Sequence, residues 1–98
     1  MNYIYPLYKK LQVLRMYEYR LIEFNAERKE IHLVSNESNL QQILSEFYKE
    51  KYGQLFDEKG YPKGFISVFI NSKQVSTTKD IMLCSNDEIC LVTSISGG

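Results

Sequence analysis

Glu88-Ile89-Cys90-Leu91-Val92-Thr93-Ser94-Ile95-Ser96-Gly97-Gly98 reads as a strand that runs directly into two glycines. Ser85-Asn86-Asp87 before it is a turn by composition. Its β-branched content favours an extended, half-buried backbone up to Ile95. Beyond that, Gly97 and Gly98 lack a Cβ, so the backbone can bend either way or pass through a narrow opening. A terminal carboxylate on such a segment can reach another protein's active site and react there. The fold follows from what must lie on either side of this strand.

Upstream, Phe65-Ile66-Ser67-Val68-Phe69-Ile70 is an almost unbroken apolar run of strand length, which predicts a central strand or one covered on both faces. Asn71-Ser72 is a turn pair and Lys73-Gln74-Val75-Ser76 a short return, while Ile81 and Leu83 are expected core contacts. Gln54 to Gly64, with Gly60, Pro62 and Gly64, is a loop. Before it lies the strongest local signal. Leu40, Ile43, Leu44, Phe47 and Tyr48 fall on one helical stripe, with Glu46, Lys49, Glu50 and Lys51 on the opposite side. Asn36 or Ser38 is the expected N-cap and Gly53 the expected C-terminal stop.

The amino-terminal third is less regular. Leu11 to Glu18 alternates imperfectly and reads as a first strand, and Glu30-Ile31-His32-Leu33-Val34 as a second. Tyr19 to Glu30 between them is expected to form a short helical turn or loop. His32 points away from Ile31 and Leu33, as a half-exposed sheet residue. Residues 1–10, MNYIYPLYKK, hold three tyrosines and a proline without a clear period. They are expected either to pack on the domain or to offer an adhesive contact to a partner, since Tyr suits interfaces.

A hairpin, an amphipathic helix, a central strand, a short strand and a final strand suit an α+β domain in which the helix crosses one face of a mixed sheet. Sequential-connection rules then set the first and last strands side by side at the sheet centre. That is the β-grasp arrangement. It divides the chain into an extension over 1–10, a domain over 11–94 and a flexible Gly-Gly tail over 95–98.

Composition narrows the function. The 98 residues make one domain, with 44% apolar residues and 12 basic against 12 acidic side chains. Without net charge there is no field to gather nucleic acid or an anionic membrane. No apolar run reaches the roughly 20 residues of a membrane span, and the start lacks a secretory signal pattern, so a cytoplasmic protein is expected. Cys84 and Cys90, with His32 as their sole soft-ligand companion, are too few for a structural zinc or iron–sulfur site. They read as buried or half-buried apolar residues. No phosphate-binding glycine loop, carboxylate pair or Ser/His/Asp set is present, so the chain is not expected to be an enzyme by itself, nor to bind a cofactor.

The segments Phe65–Asn71, Ser85–Val92 and Ser94–Gly98 resemble the MoaD family, which includes the small subunit of molybdopterin synthase. Members of that family have a strand ending in Val-Asn-Gly, a Gly-Asp-Glu-Val turn and a Pro-Pro-Val-Ser-Gly-Gly end. The resemblance spans about residues 11–98. Ser72 stands where a turn glycine is usual, Asn86 replaces the glycine before Asp87-Glu88, and Thr93-Ser94 occupy positions where prolines are common. The thiamine sulfur carrier ThiS is similar but shorter, and archaeal small modifiers share the fold and tail.

The resemblance implies a sulfur carrier. An E1-like enzyme would use ATP to adenylate the Gly98 carboxylate, and a sulfur donor would convert it to a thiocarboxylate. Gly97 would give the slimness that a partner's channel demands. Ile95 and Ser96 would meet the partner's entrance, although Ile95 equally suits a last core contact of the strand. The implied partners are the E1-like enzyme and a MoaE-like large subunit. A modifier joined through Gly98 to lysines, or a non-reactive β-grasp interaction domain, are the rival expectations.

Overall fold

The computed structural model describes residues 16–94. Strand β1 (Tyr17–Asn25) is followed by β2 (Glu27–Ser35), helix α1 (Leu40–Tyr48), a 3-10 turn (Lys49–Lys51), a one-turn helix α2 (Tyr52–Leu55), then β3 (Ile66–Ile70), β4 (Lys73–Val75) and β5 (Glu88–Thr93). The five strands form one sheet in the order β2-β1-β5-β3-β4. Strand β5 lies parallel to β1 and antiparallel to β3, so the first and last described strands do sit together at its centre. This is the expected β-grasp.

The amino-terminal hairpin corrects the sequence reading. Tyr19 to Glu30 is not a loop or helical turn: β1 and β2 pair along their whole length, from Tyr17 opposite Ser35 to Asn25 opposite Glu27. The reversal is made at Ala26, with φ of 71°, a residue whose side chain gives no turn signal. The alternation of Tyr17, Tyr19 and Leu21 with polar residues breaks where Ile22 and Phe24 take the open face and Glu23 the helix side, and residues 27–30 are charged on both faces. Of the first strand expected over 11–18, residues 11–15 lie outside the described residues, and Tyr17-Glu18 begin β1.

Helix α1 follows its apolar period. Leu40, Ile43, Leu44 and Tyr48 are buried, while Phe47, at the edge of the stripe, is left 36% exposed. They pack on Tyr19, Leu21, Ile66, Val68, Ile89 and Leu91 from the inner sheet face. Leu44→Ala in such a core costs about 2–5 kcal/mol. The helix ends differ from expectation. Asn39, not Asn36 or Ser38, caps the start, its Oδ1 accepting the Gln42 N–H at 3.1 Å. The break comes at Lys49, with φ of 54°, and Gly53 lies inside α2.

The loop expected over 54–64 starts later, since Gln54 and Leu55 belong to α2, and it is pinned down rather than loose. The Asp57 carboxylate accepts the N–H groups of Lys59 and Tyr61, both at 2.9 Å. Gly60 has φ of 84°, and a Cβ there would come within 2.8 Å of the buried Thr78 hydroxyl. Thr78 donates its backbone N–H to the Gly60 carbonyl at 2.8 Å and its hydroxyl to the same oxygen at 3.1 Å. Leu83 is buried and Ile81 packs against the core, as anticipated. Cys84 is exposed and only Cys90 is half-buried, so the cysteine reading holds for one of the two.

Strand β3 is second from the edge, and its apolar run has a mixed explanation. Ile66 and Val68 enter the core, but Phe69 faces the other side of the sheet and Phe65, just ahead of the strand, is 46% exposed. The run does not report cover on both sides.

Candidate functional site

The chain's carboxyl end leaves from the middle of the sheet. Thr93 pairs with Ile66 in the last register position, and the Ser94 N–H donates to the Phe65 carbonyl at 2.8 Å. On the opposite flank, Phe24 is paired with Val92. Hydrogen bonds on both sides thus hold the strand almost to its last described residue. The expected reacting group at Gly98 and the expected contact residues Ile95, Ser96 and Gly97 lie outside the described residues, as does the extension over 1–10.

Two clefts flank the point of departure. On the helix side, Glu23, Asn25, Tyr48, Lys51, Gln54, Leu55, Phe65, Leu91 and Thr93 enclose about 260 Å³. Tyr48 reaches back from the end of α1 and donates its hydroxyl to the Glu23 carboxylate. Burial, and then the neighbouring carboxylate, push the Tyr48 phenol far above its ordinary pKa, so it is a fixed donor at any physiological pH. This bond joins the helix end to β1 directly beside the departing strand.

On the open side, Ile22, Phe24, Arg28, Phe69, Ser72, Glu88, Cys90 and Val92 enclose about 440 Å³. Sheet register sets Ile22, Cys90 and Phe69 in one row across three strands, and Phe24 and Val92 in the next. Burial, and then Glu88, raise the Cys90 thiol above its usual pKa, which makes it a poor nucleophile near neutrality. Beyond the apolar rows the same face is charged. Arg20 bridges Glu30 at 3.0 Å and Glu88 at 3.1 Å, Arg28 meets Glu30 at 3.1 Å, and His32 meets Glu18 at 2.9 Å. The arginines hold the Glu30 carboxyl below its ordinary pKa, chiefly through the hydrogen bond from Arg20.

The far end of β5 is built from side-chain amide and carboxylate bonds. Asn71 accepts the Glu88 N–H on Oδ1 at 2.9 Å and donates from Nδ2 to the Asp87 carboxylate at 3.0 Å. The other Asp87 oxygen accepts the Cys84 N–H at 2.8 Å. Asn86 and Asp87 then tie to β1, through Asn86 N–H to the Glu18 carbonyl at 2.6 Å and Arg20 N–H to the Asp87 carbonyl at 3.1 Å. The motif Asn71 with Asp87-Glu88, read from sequence as two separate turns, is one hydrogen-bonded corner.

The sequence reading did not single out Phe24, Tyr48 or Phe65 around the departing strand. Phe24 and Phe65 are exposed beside the departing strand, a property that no local sequence pattern announces. Among the described residues, no three or more His, Cys, Asp or Glu side chains gather as a metal site, and no helix is long and apolar enough to cross a membrane. What this end of the molecule offers is anchorage and surface.

Comparison with known proteins places this geometry. The ThiS family model matches residues 21–98. Among solved structures, the HVO 2177 protein of Haloferax volcanii is similar, with a TM-score of 0.64 and 17% identity over 85% of this chain and 88% of that one. Small archaeal modifier protein 1 of the same organism has a TM-score of 0.57 and 16% identity, covering 83% of this chain and 99% of its own. Its counterpart from Methanosarcina acetivorans gives a TM-score of 0.55 and 22% identity, covering 86% and 99%. At these identities the structures share the fold. No curated protein matches the chain.

Proposed function

The chain belongs to the ThiS family, and from that membership we propose that it is a sulfur carrier which holds sulfur as a thiocarboxylate on Gly98. The observation that carries this reading is that the family match extends through residue 98 and so includes the Gly97-Gly98 end. An E1-like enzyme activates the carboxylate: its oxygen attacks the α-phosphate of ATP and pyrophosphate leaves. A sulfur donor then displaces AMP. ATP is bound by the activating partner and no cofactor by this chain. Within the cytoplasm, the carrier serves as a MoaD-like small subunit that delivers sulfur to a MoaE-like large subunit of molybdopterin synthase.

The fold supports this division of labour. A strand held by β1 as far as Val92 and on the β3 side as far as Ser94 gives the reactive end a fixed point of departure. The carrier contributes position and the partners contribute chemistry.

The similarity to two small archaeal modifier proteins favours a second reading, in which activated Gly98 is passed to a lysine of another protein as an isopeptide. Both begin with the same acyl-adenylate, and they diverge in the acceptor. Intact mass after incubation with a cognate E1-like enzyme, MgATP and a sulfur donor tests the carrier reading. The expected product has one sulfur in place of one oxygen, and neither deletion of Gly98 nor a residue appended after it permits it. Conjugates that contain Gly98 joined to lysine, with no thiocarboxylate formed, would transfer the assignment to the modifier.

A further inference from the structure

We infer that residues 1–15 dock on the open face of the sheet and cover the apolar rows formed by Ile22, Phe24, Phe69, Cys90 and Val92. This goes beyond the carrier reading and does not depend on it. Residues 1–15 lie outside the described residues and ahead of the family match, which starts at residue 21.

Three observations select this occupant. The first is apolar supply and demand. Tyr3, Ile4, Tyr5, Leu7, Tyr8, Leu11, Val13 and Leu14 make this stretch too apolar for a solvated tail. Meanwhile the sheet face leaves Phe24 40% exposed beside a cleft of about 440 Å³. The second is reach. Glu18 to Phe24 along β1 spans about 20 Å, and a segment as long as Tyr3 to Lys10 can reach about 24 Å when fully extended. A chain that doubles back ahead of Met16 therefore has the length to run from the charged rows of this face to its apolar rows.

The third is charge. The same face carries Glu18, Glu30 and Glu88 against Arg20 and Arg28, and Glu18 has only His32 beside it among the described residues. Lys9 and Lys10 supply the missing positive charge at the charged end of the face, while the tyrosine-rich stretch reaches the apolar end.

The test uses the full-length chain. A nitroxide on Tyr5→Cys, with Cys84→Ser and Cys90→Ser, should broaden the amides of Ile22, Phe24, Phe69 and Val92 and spare Gln41, Ser45 and Glu46 on the helix side. Broadening seen only when labelled and unlabelled copies are mixed assigns the face to a second copy and overturns the inference. So does uniform or absent broadening, which leaves the face to a different protein. Native thiols provide a check with no label and no substitution in the sheet. Alkylation of Cys90, relative to Cys84 in the same molecule, should rise several-fold in the Tyr3→Ser, Tyr5→Ser, Tyr8→Ser variant. An unchanged ratio in a folded variant overturns the inference as well.

Discussion

The two ends of β5 are built on opposite plans. At its start, Asn71, Asn86 and Asp87 convert turn residues into a closed set of hydrogen bonds that ties β1, β3 and β5 together. At its finish, backbone pairing to Phe24 and Phe65 persists while side chains open outward, and two clefts flank the departing chain. One end is spent on stability and the other on access. A strand clamped at its start fixes the place from which its other end leaves the sheet.

Substitutions at the two ends should therefore have separable effects. The largest is expected at the finish: deletion of Gly98 abolishes adenylation, read by pyrophosphate release, and leaves the unfolding midpoint unchanged. A fall of several degrees in the midpoint would mean that the tail is part of the fold and would blur the contrast. At the start, Asp87→Ala strips acceptors from Asn71 and Cys84 and should cost about 1–2 kcal/mol, with turnover by the activating enzyme retained. Urea unfolding measures it. A loss of activation without a loss of stability would show that this corner, too, meets the partner.

Tyr48→Phe probes the link between the helix end and the departing strand. Removing the hydroxyl from the Glu23 carboxylate should cost about 1 kcal/mol. It also has a pH signature. The folded phenol is raised above its unfolded value, so its contribution is intact below about pH 10 and falls as the pH rises beyond that. The variant should therefore lose less stability than wild type between neutral and strongly alkaline solution. Equal alkaline loss in both proteins would mean that another group controls it.

The smallest effects are gains. Ser72 and Asn86 adopt φ of 73° and 78°, left-handed conformations that cost a residue with a Cβ. Ser72→Gly should stabilise by about 0.5–1 kcal/mol, and Asn86→Gly by less because Asn tolerates this region better. For a chain of this size, about 1 kcal/mol raises the midpoint by roughly 4–8 °C. Destabilisation by Ser72→Gly would show that the serine side chain serves the corner in a way its backbone strain conceals.

How well the fold could be read depended on where each side chain faces. Helix α1 was legible because Leu40, Ile43, Leu44 and Tyr48 repeat with the helical period and share one buried face. The β1–β2 hairpin was not, because Ile22 and Phe24 face outward and Glu23 inward against the alternation, and its turn sits on Ala26, which has no turn preference to reveal it. The Asn71–Asp87 corner joins residues 16 apart, and no local pattern announces that pairing. Phe24 and Phe65 became notable only when the sheet placed them beside the departing strand.

The sequence by itself determined the α+β class, the apolar face of the helix and the Gly97-Gly98 end, because periodicity and glycine's missing Cβ are local properties. It could also specify β5 as a strand from its own residues. Tertiary structure alone decided which neighbours clamp β5, which phenylalanines stay open around its exit, and which helix residue reaches Glu23. Those outcomes depend on register between strands distant in the chain, where a shift of one residue would exchange the buried and open faces.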